Sequence, residues 1–162
     1  MAMCLAYGNQ NTVITTEKKR ELLHDLLLDQ LSETAGKILV VPPDITRLPS
    51  NAGELTKILY QIWLEAKGEQ FDILPAIGTH TPMTKSQIKT MFGCLDQANY
   101  YDHDWRTDLS QLGQVPSNLV SEVSNGKVDY DIPVAINRRI VEGGYDLILS
   151  VGQVIPHEVV GM

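Results

Sequence analysis

Two cysteines, Cys4 and Cys94, are too few for a disulfide framework, and they lack the close pairing of a zinc-binding motif. They read as unpaired thiols of a reducing compartment. Aromatic residues make up only 6% of the 162 positions, so the core has to be mostly aliphatic. No run of about 18 apolar residues occurs, so no membrane span is expected. Met1 to Asn9 carries no charged segment followed by a long apolar stretch, so no secretory signal is visible and a cytoplasmic location is the expectation. Basic residues are outnumbered 13 to 20, a net charge of -7, which argues against a nucleic-acid partner because phosphate neutralisation needs clustered Lys and Arg. Gly-x-Gly-x-x-Gly, a phosphate-loop Gly-Lys-Ser/Thr and Gly-x-Ser-x-Gly are all missing, which removes most support for the usual nucleotide folds and for serine hydrolases.

What is present fits a globular domain. The chain is 43% hydrophobic and 20% charged, and its length suffices for one domain with a real core. Leu22, Leu23, Leu26 and Leu27 form one stripe, which predicts an amphipathic helix over 17–31, with His24 on its flank. Residues 37–41 (KILVV) read as a buried strand stopped by Pro42-Pro43. A helix capped at Ser50 or Asn51 carries Leu55, Ile58, Leu59 and Ile62 at helical spacing and ends by Gly68. Residues 71–77 predict the next strand, with an irregular end at Pro75. Thr84 and Gln87 form a capping box for a short helix that ends at Gly93. A strand over 97–102 and a helix or turn around 108–112 follow. Asn125-Gly126 predicts a hairpin turn joining strands over 118–124 and 127–137, the second bent at Pro133. Residues 146–151 are the clearest buried strand. The alternation points to a Rossmann-like α/β fold: a mostly parallel sheet flanked by helices, with an antiparallel hairpin insertion.

On this map the reactive side chains follow strands. Asp44, Thr46 and Arg47 come after 37–41, His80 after 71–77 beyond Gly78, His103 and Asp104 after 97–102, and His157 after 146–151. In a parallel sheet all strand C-termini share one rim, where open α/β sheets bind ligands. The alternative for each residue alone is an exposed loop histidine, or an Asp44 that merely caps the following turn. Arginine offers a planar fork for a carboxylate, and imidazoles as a class give and take protons near neutrality. Two histidines facing each other across a small acid would suit a reaction that must reach both faces of one carbon. A catalytic zinc on His80, His103 and His157 is a rival reading, since sequence spacing cannot exclude it. Arg138 and Arg139 read as rim charges or salt-bridge partners, the structural role being favoured.

Four pieces, in order, resemble the lactate racemase family: Val41-Pro42-Pro43-Asp44-Ile45-Thr46-Arg47, Ala76-Ile77-Gly78-Thr79-His80-Thr81-Pro82-Met83, His103-Asp104, and Gly152 to Gly161 with its Pro156-His157 pair. Tyr7-Gly8 also fits. The resemblance implies that His80 and His157 are the acid/base pair, that Arg47 and Thr46 bind the substrate carboxylate, and that Asp44, Thr46, Gly78 and His103 line the cofactor. It implies a nickel-pincer nucleotide in the full-length protein, racemisation or epimerisation of a small 2-hydroxy acid by hydride transfer, and a further C-terminal domain.

The chain departs from the family at Thr81, where lactate-specific members carry an arginine, which puts lactate itself in question. The family's cofactor-tethering lysine and nickel ligands are expected beyond Met162. The chain therefore reads as a single α/β domain over 1–162, the N-terminal catalytic part of a longer two-domain protein, inactive and without cofactor by itself. A non-catalytic carboxylate-binding module around Arg47, His80 and His157 is the competing function, beside the zinc hydrolase.

Overall fold

A computed structural model describes residues 5–30 and 36–156. The described chain divides into two compact units, one formed by residues up to 102 together with those from 145 onward, the other by residues 103–144.

The first unit is built on four parallel strands: β1 (Lys37–Val41), β2 (Gln70–Ile73), β3 (Ala98–Tyr100) and, late in the chain, β6 (Leu147–Ser150). Their order is β3-β2-β1-β6. Ile38 lies beside Phe71 on one side and Leu147 on the other, so β1 is an interior strand. The strand order reverses at β1, which makes the gap between the C-terminal ends of β1 and β6 the topological switch point of the sheet. Because side chains alternate along a strand, Ile38, Val40, Phe71 and Ile73 all enter one core. There they meet Leu27 of helix α1 (Thr16–Gln30), the apolar face of α2 (Ala52–Glu65) and Met91 and Phe92 of α3 (Lys85–Phe92). Three aromatics meet at this point: the Tyr60 and Phe71 rings meet edge to face at 5.3 Å, and Trp63 stacks on Tyr60 at 5.7 Å. The opposite parity of β2 carries a buried carboxylate. Asp72 accepts from the Gln70 amide (2.7 Å), the Asn99 amide (2.9 Å) and the Tyr145 hydroxyl (2.6 Å), so a polar network ties β2 to β3 and to the approach to β6.

Helices α1, α2 and α3 and strands β1 and β6 fall where periodicity placed them, and the fold is α/β with a mostly parallel sheet. The capping box is formed as expected: Thr84 accepts from the Gln87 amide, and the Gln87 side chain accepts from the Thr84 amide. β2 stops at Ile73 rather than running to 77. Pro75 has no N–H to give a ladder, although Leu74 and Ala76 still donate to the Val40 and Pro42 carbonyls and keep the chain alongside β1. His24 lies half-exposed on α1, a helix-flank residue.

The second unit corrects the hairpin. The segment around 108–112, expected as helix or turn, opens strand β4 (Leu109–Val115), and residues 118–124, expected as a strand, form helix α4 (Ser117–Val123). The antiparallel partner of β4 is β5 (Ile132–Asn137), with a bulge between Gln111 and Gly113. A further helix, α5 (Arg138–Glu142), follows directly. Asn125 and Gly126 do adopt positive φ, 53° and 75°, but they end α4 instead of turning a hairpin. The same left-handed tolerance serves both motifs, and the preceding segment, opened by Pro116, decides between them. Among the described residues no helix is long and apolar enough to cross a membrane.

Gly53 marks the tightest helix contact. A Cβ there would sit 2.1 Å from the Met91 carbonyl oxygen, so α2 approaches the end of α3 with no side chain between. Alanine gains about 1 kcal/mol of helix propensity over glycine but collides with backbone that cannot rotate away, a penalty of about 1–3 kcal/mol. Gly53→Ala is therefore expected to lower the urea midpoint; an unchanged or raised midpoint would show that the two helices separate freely.

Candidate functional site

Pro42-Pro43 ends β1, and the next residue, Asp44, turns the chain into a 3-10 helix (Ile45–Ser50). Asp44 has extended backbone angles (φ -79°, ψ -177°), and its Oδ1 accepts from the Thr46 amide at 2.9 Å and from the Thr46 hydroxyl. It is the N-cap of that helix. Its second oxygen does something else. Oδ2 lies 2.6 Å from Nδ1 of His80, which arrives on the loop after β2. The Asp44 side chain is 6% exposed and that of His80 60% exposed, so a buried acceptor holds an open imidazole. The turn that presents His80 requires Gly78, at φ 58°, with the His80 amide donating to the Ile77 carbonyl at 2.9 Å.

Burial acts to raise the Asp44 carboxyl, but hydrogen bonds from the Thr46 hydroxyl, from His80 and from the Thr46 amide outweigh it and hold the group below the usual aspartate range. Asp44 is therefore an ionised acceptor, and the proton on the 2.6 Å contact sits on His80 Nδ1. That leaves the lone pair of the neutral ring on Nε2. Asp44, Thr46, Thr79, His80, Thr81 and Gln87 line a cavity of about 550 Å³.

Arg47 lies elsewhere on the same rim. With Val41, Pro43, Ser150, Gly152 and Gln153 it lines a second cavity, of about 320 Å³, at the switch point between β1 and β6. Its guanidinium has no hydrogen-bond or ion-pair partner among the described residues. Arg47 and Asp44 are thus three residues apart in sequence but line different cavities, Asp44 with His80 in one and Arg47 in the other, across the 3-10 helix.

His157 lies outside the described residues. His103 and Asp104 belong to the second unit. There His103 Nδ1 lies 2.9 Å from the amide nitrogen of Asn137, a buried residue at the end of β5. Asp104 accepts from the Arg106 amide at 2.8 Å, and that bond holds its carboxyl below the usual range, so it shapes its own turn. Arg138 donates to the Thr107 carbonyl and its amide to the Asp108 carbonyl, the structural role favoured for it. Asn137 is the residue that pattern reading missed. An Asn between a strand and an Arg-Arg pair is a capping signal, but nothing in the sequence says that its amide reaches a histidine 34 positions earlier. Among the described residues no group of three His, Cys, Asp or Glu side chains could hold a metal ion.

The depressed Asp44 carboxyl sets a pH dependence. A folded pKa below the unfolded one contributes stability that is fully present above the unfolded value, near 3.9, and is lost as pH falls through the lower folded value. Asp44→Ala should cost about 1–3 kcal/mol at pH 7, and the gap from wild type should narrow below about pH 4. Chemical denaturation at pH 7 and pH 3 checks this; a gap that widens in acid contradicts the sign.

Comparison with known proteins identifies the family and the fold. Residues 13–162 match the lactate racemase N-terminal domain family. A crystal structure of a Thermotoga maritima protein superimposes with a TM-score of 0.76 at 29% identity, covering 84% of this chain and 33% of that one. The chain thus spans about a third of the length of that relative. No curated protein matches. A match over nearly the whole chain, together with a parallel sheet whose strand ends carry Asp44, Arg47 and His80, places this protein in the lactate racemase N-terminal domain family.

Proposed function

We propose that this chain is the acid/base-bearing part of a racemase or epimerase acting on a small 2-hydroxy acid. The observation that carries the reading is the buried Asp44 carboxylate on Nδ1 of His80. It orients the ring, fixes the tautomer and leaves Nε2 as the base, the arrangement that makes a histidine take a proton and then return it. His80 removes the proton of the substrate hydroxyl, and Asp44 stabilises the imidazolium that forms without itself becoming protonated. His157 serves the opposite enantiomer as the second base. Arg47 offers a planar fork to the substrate carboxylate from the switch-point cavity, while Thr46 lines the His80 cavity. A guanidinium at the switch point that has no partner among the described residues supports that role.

The nickel-pincer nucleotide would supply the hydride acceptor when bound. The described residues fit the flank of such a group. A Cβ on Gly78 would meet nothing within 4 Å, so a flat ligand can approach this turn, and Thr46 and Asp44 form the adjacent wall. They do not supply a metal-ligand set. Both Asp44 oxygens are already engaged, so Asp44 acts through His80 rather than on the ligand directly. Thr81 and its neighbours Thr79 and Gln87 give the His80 cavity neutral hydrogen-bonding groups instead of a cation, which favours a substrate other than lactate.

Two measurements on the full-length, cofactor-loaded protein test this. His80→Ala and His157→Ala should each reduce interconversion of enantiomers by about 10²–10⁴-fold, the usual contribution of a general base. Turnover at wild-type rates in both variants would end the assignment. Arg47→Ala should raise KM about tenfold or more with a smaller change in kcat, since a carboxylate anchor acts on ground state and transition state alike. An unchanged KM would remove Arg47 from the substrate site.

A further inference from the structure

We infer that Gln87 is a specificity-determining residue, whose side-chain NH2 donates to an uncharged oxygen carried by the substrate chain beyond the carbinol carbon; this rests on the function proposed above. The capping box of α3 fixes the orientation of the amide. Gln87 Oε1 accepts from the Thr84 amide N–H at 2.8 Å and from the Thr84 hydroxyl at 3.1 Å. An N–H can face only an acceptor, so the first bond decides which end of the Gln87 side chain is oxygen and which is NH2. The NH2 end has no hydrogen-bond partner among the described residues. A capping box uses only the oxygen, and glutamate serves it as well as glutamine. The two N–H donors of Gln87 are therefore left over from the cap.

Gln87 is half-buried and lines the His80 cavity of about 550 Å³. Thr79 and Thr81 line it too, and neither hydroxyl has a partner among the described residues. These hydroxyls can donate or accept, whereas the Gln87 NH2 can only donate, so it alone sets the sign of the contact. No lysine or arginine lines this cavity, and its one carboxylate, Asp44, is bonded to His80. A second carboxylate on the substrate would meet no cation here. A purely aliphatic chain would cover the amide donors without matching them. A neutral acceptor oxygen avoids both costs. With its carboxylate at Arg47 and its hydroxyl at His80, the substrate brings its carbinol carbon to this cavity, where the remaining substituent comes within reach of these groups. The substrate class is thus a 2-hydroxy acid with a hydroxyl, ether or amide oxygen further along its chain.

A matched pair of acids tests this on the full-length, cofactor-loaded protein: 2-hydroxy-3-methoxypropanoate and 2-hydroxypentanoate differ only in an ether oxygen replacing a CH2 group. The wild type should show the higher kcat/KM with the ether. Gln87→Glu keeps the cap but sets an acceptor where the NH2 was, so it should lower the ether-to-alkane ratio about tenfold while the urea midpoint holds. The ratio cancels whatever the added charge does to the carboxylate common to both acids. A wild type that prefers the alkane, or a ratio unchanged in Gln87→Glu, reduces Gln87 to a helix cap and overturns the inference. Side-chain amide NMR on the 162-residue chain gives a reading without turnover. The Gln87 NH2 pair, identified by its loss in Gln87→Glu, should shift with the ether acid at tens of millimolar and not with 2-hydroxypentanoate. An equal shift with both acids, or none with either, overturns the donor role. A full-length protein that interconverts no 2-hydroxy acid ends the racemase reading instead, and the NH2 shift is still read, so the two proposals fail separately.

Discussion

A carboxylate removed from water has to be matched by donors, and at Asp44 this requirement organises the first unit's rim. Burial acts to raise its pKa; two donors from Thr46 and one from His80 outweigh that and hold it below the usual aspartate range. The Thr46 donors lie on the 3-10 helix that follows β1, and the His80 donor on the loop that follows β2. Satisfying one buried charge therefore joins two loops from neighbouring parallel strands and aims a histidine outward at the same time. Read as a helix cap, Asp44 is ordinary. Read together with His80, the same residue is the means by which the fold holds an exposed imidazole in position.

The sheet explains why the reactive groups arrive here at all. Parallel strands deliver their C-terminal loops to one edge, and the reversal of order at β1 opens a gap beside β6. Arg47 enters that gap, while Asp44 and His80 occupy the neighbouring cavity between the loops of β1 and β2. In the second unit a short helix starting straight from β5 places the Asn137 side chain against His103. In both units a local cap, required to satisfy backbone N–H groups at a helix start, also sets the state of an imidazole.

The parallel core was readable because its signals are strong and local. KILVV forms the buried strand expected of it and α2 shows its apolar stripe over four turns, whereas DLILSV, expected as the clearest buried strand, is an edge strand that leaves Ile148 40% exposed. The hairpin was misread for an equally local reason. Residues 109–115 alternate weakly and are largely exposed, so nothing in LSQLGQV demanded a strand, and Asn125-Gly126 suits a helix end as well as a turn. Strand pairing between 109–115 and 132–137 is a contact across 17 or more residues, and such contacts leave little trace in a short window.

What the sequence by itself determined is the set of polar and reactive residue types and their order behind strands: Asp44, Arg47, Gly78 and His80 stand at junctions that any parallel sheet brings to one edge, because strand direction fixes which end a loop leaves from. What only the tertiary structure decided is the partner of each imidazole. The sequence holds His80 and His103 as equals; the fold gives one a carboxylate and the other an amide, at 2.6 Å and 2.9 Å. A hydrogen bond of that length depends on contacts 36 and 34 residues apart, and the position of a ring proton follows from the chemistry of whatever atom lies across it.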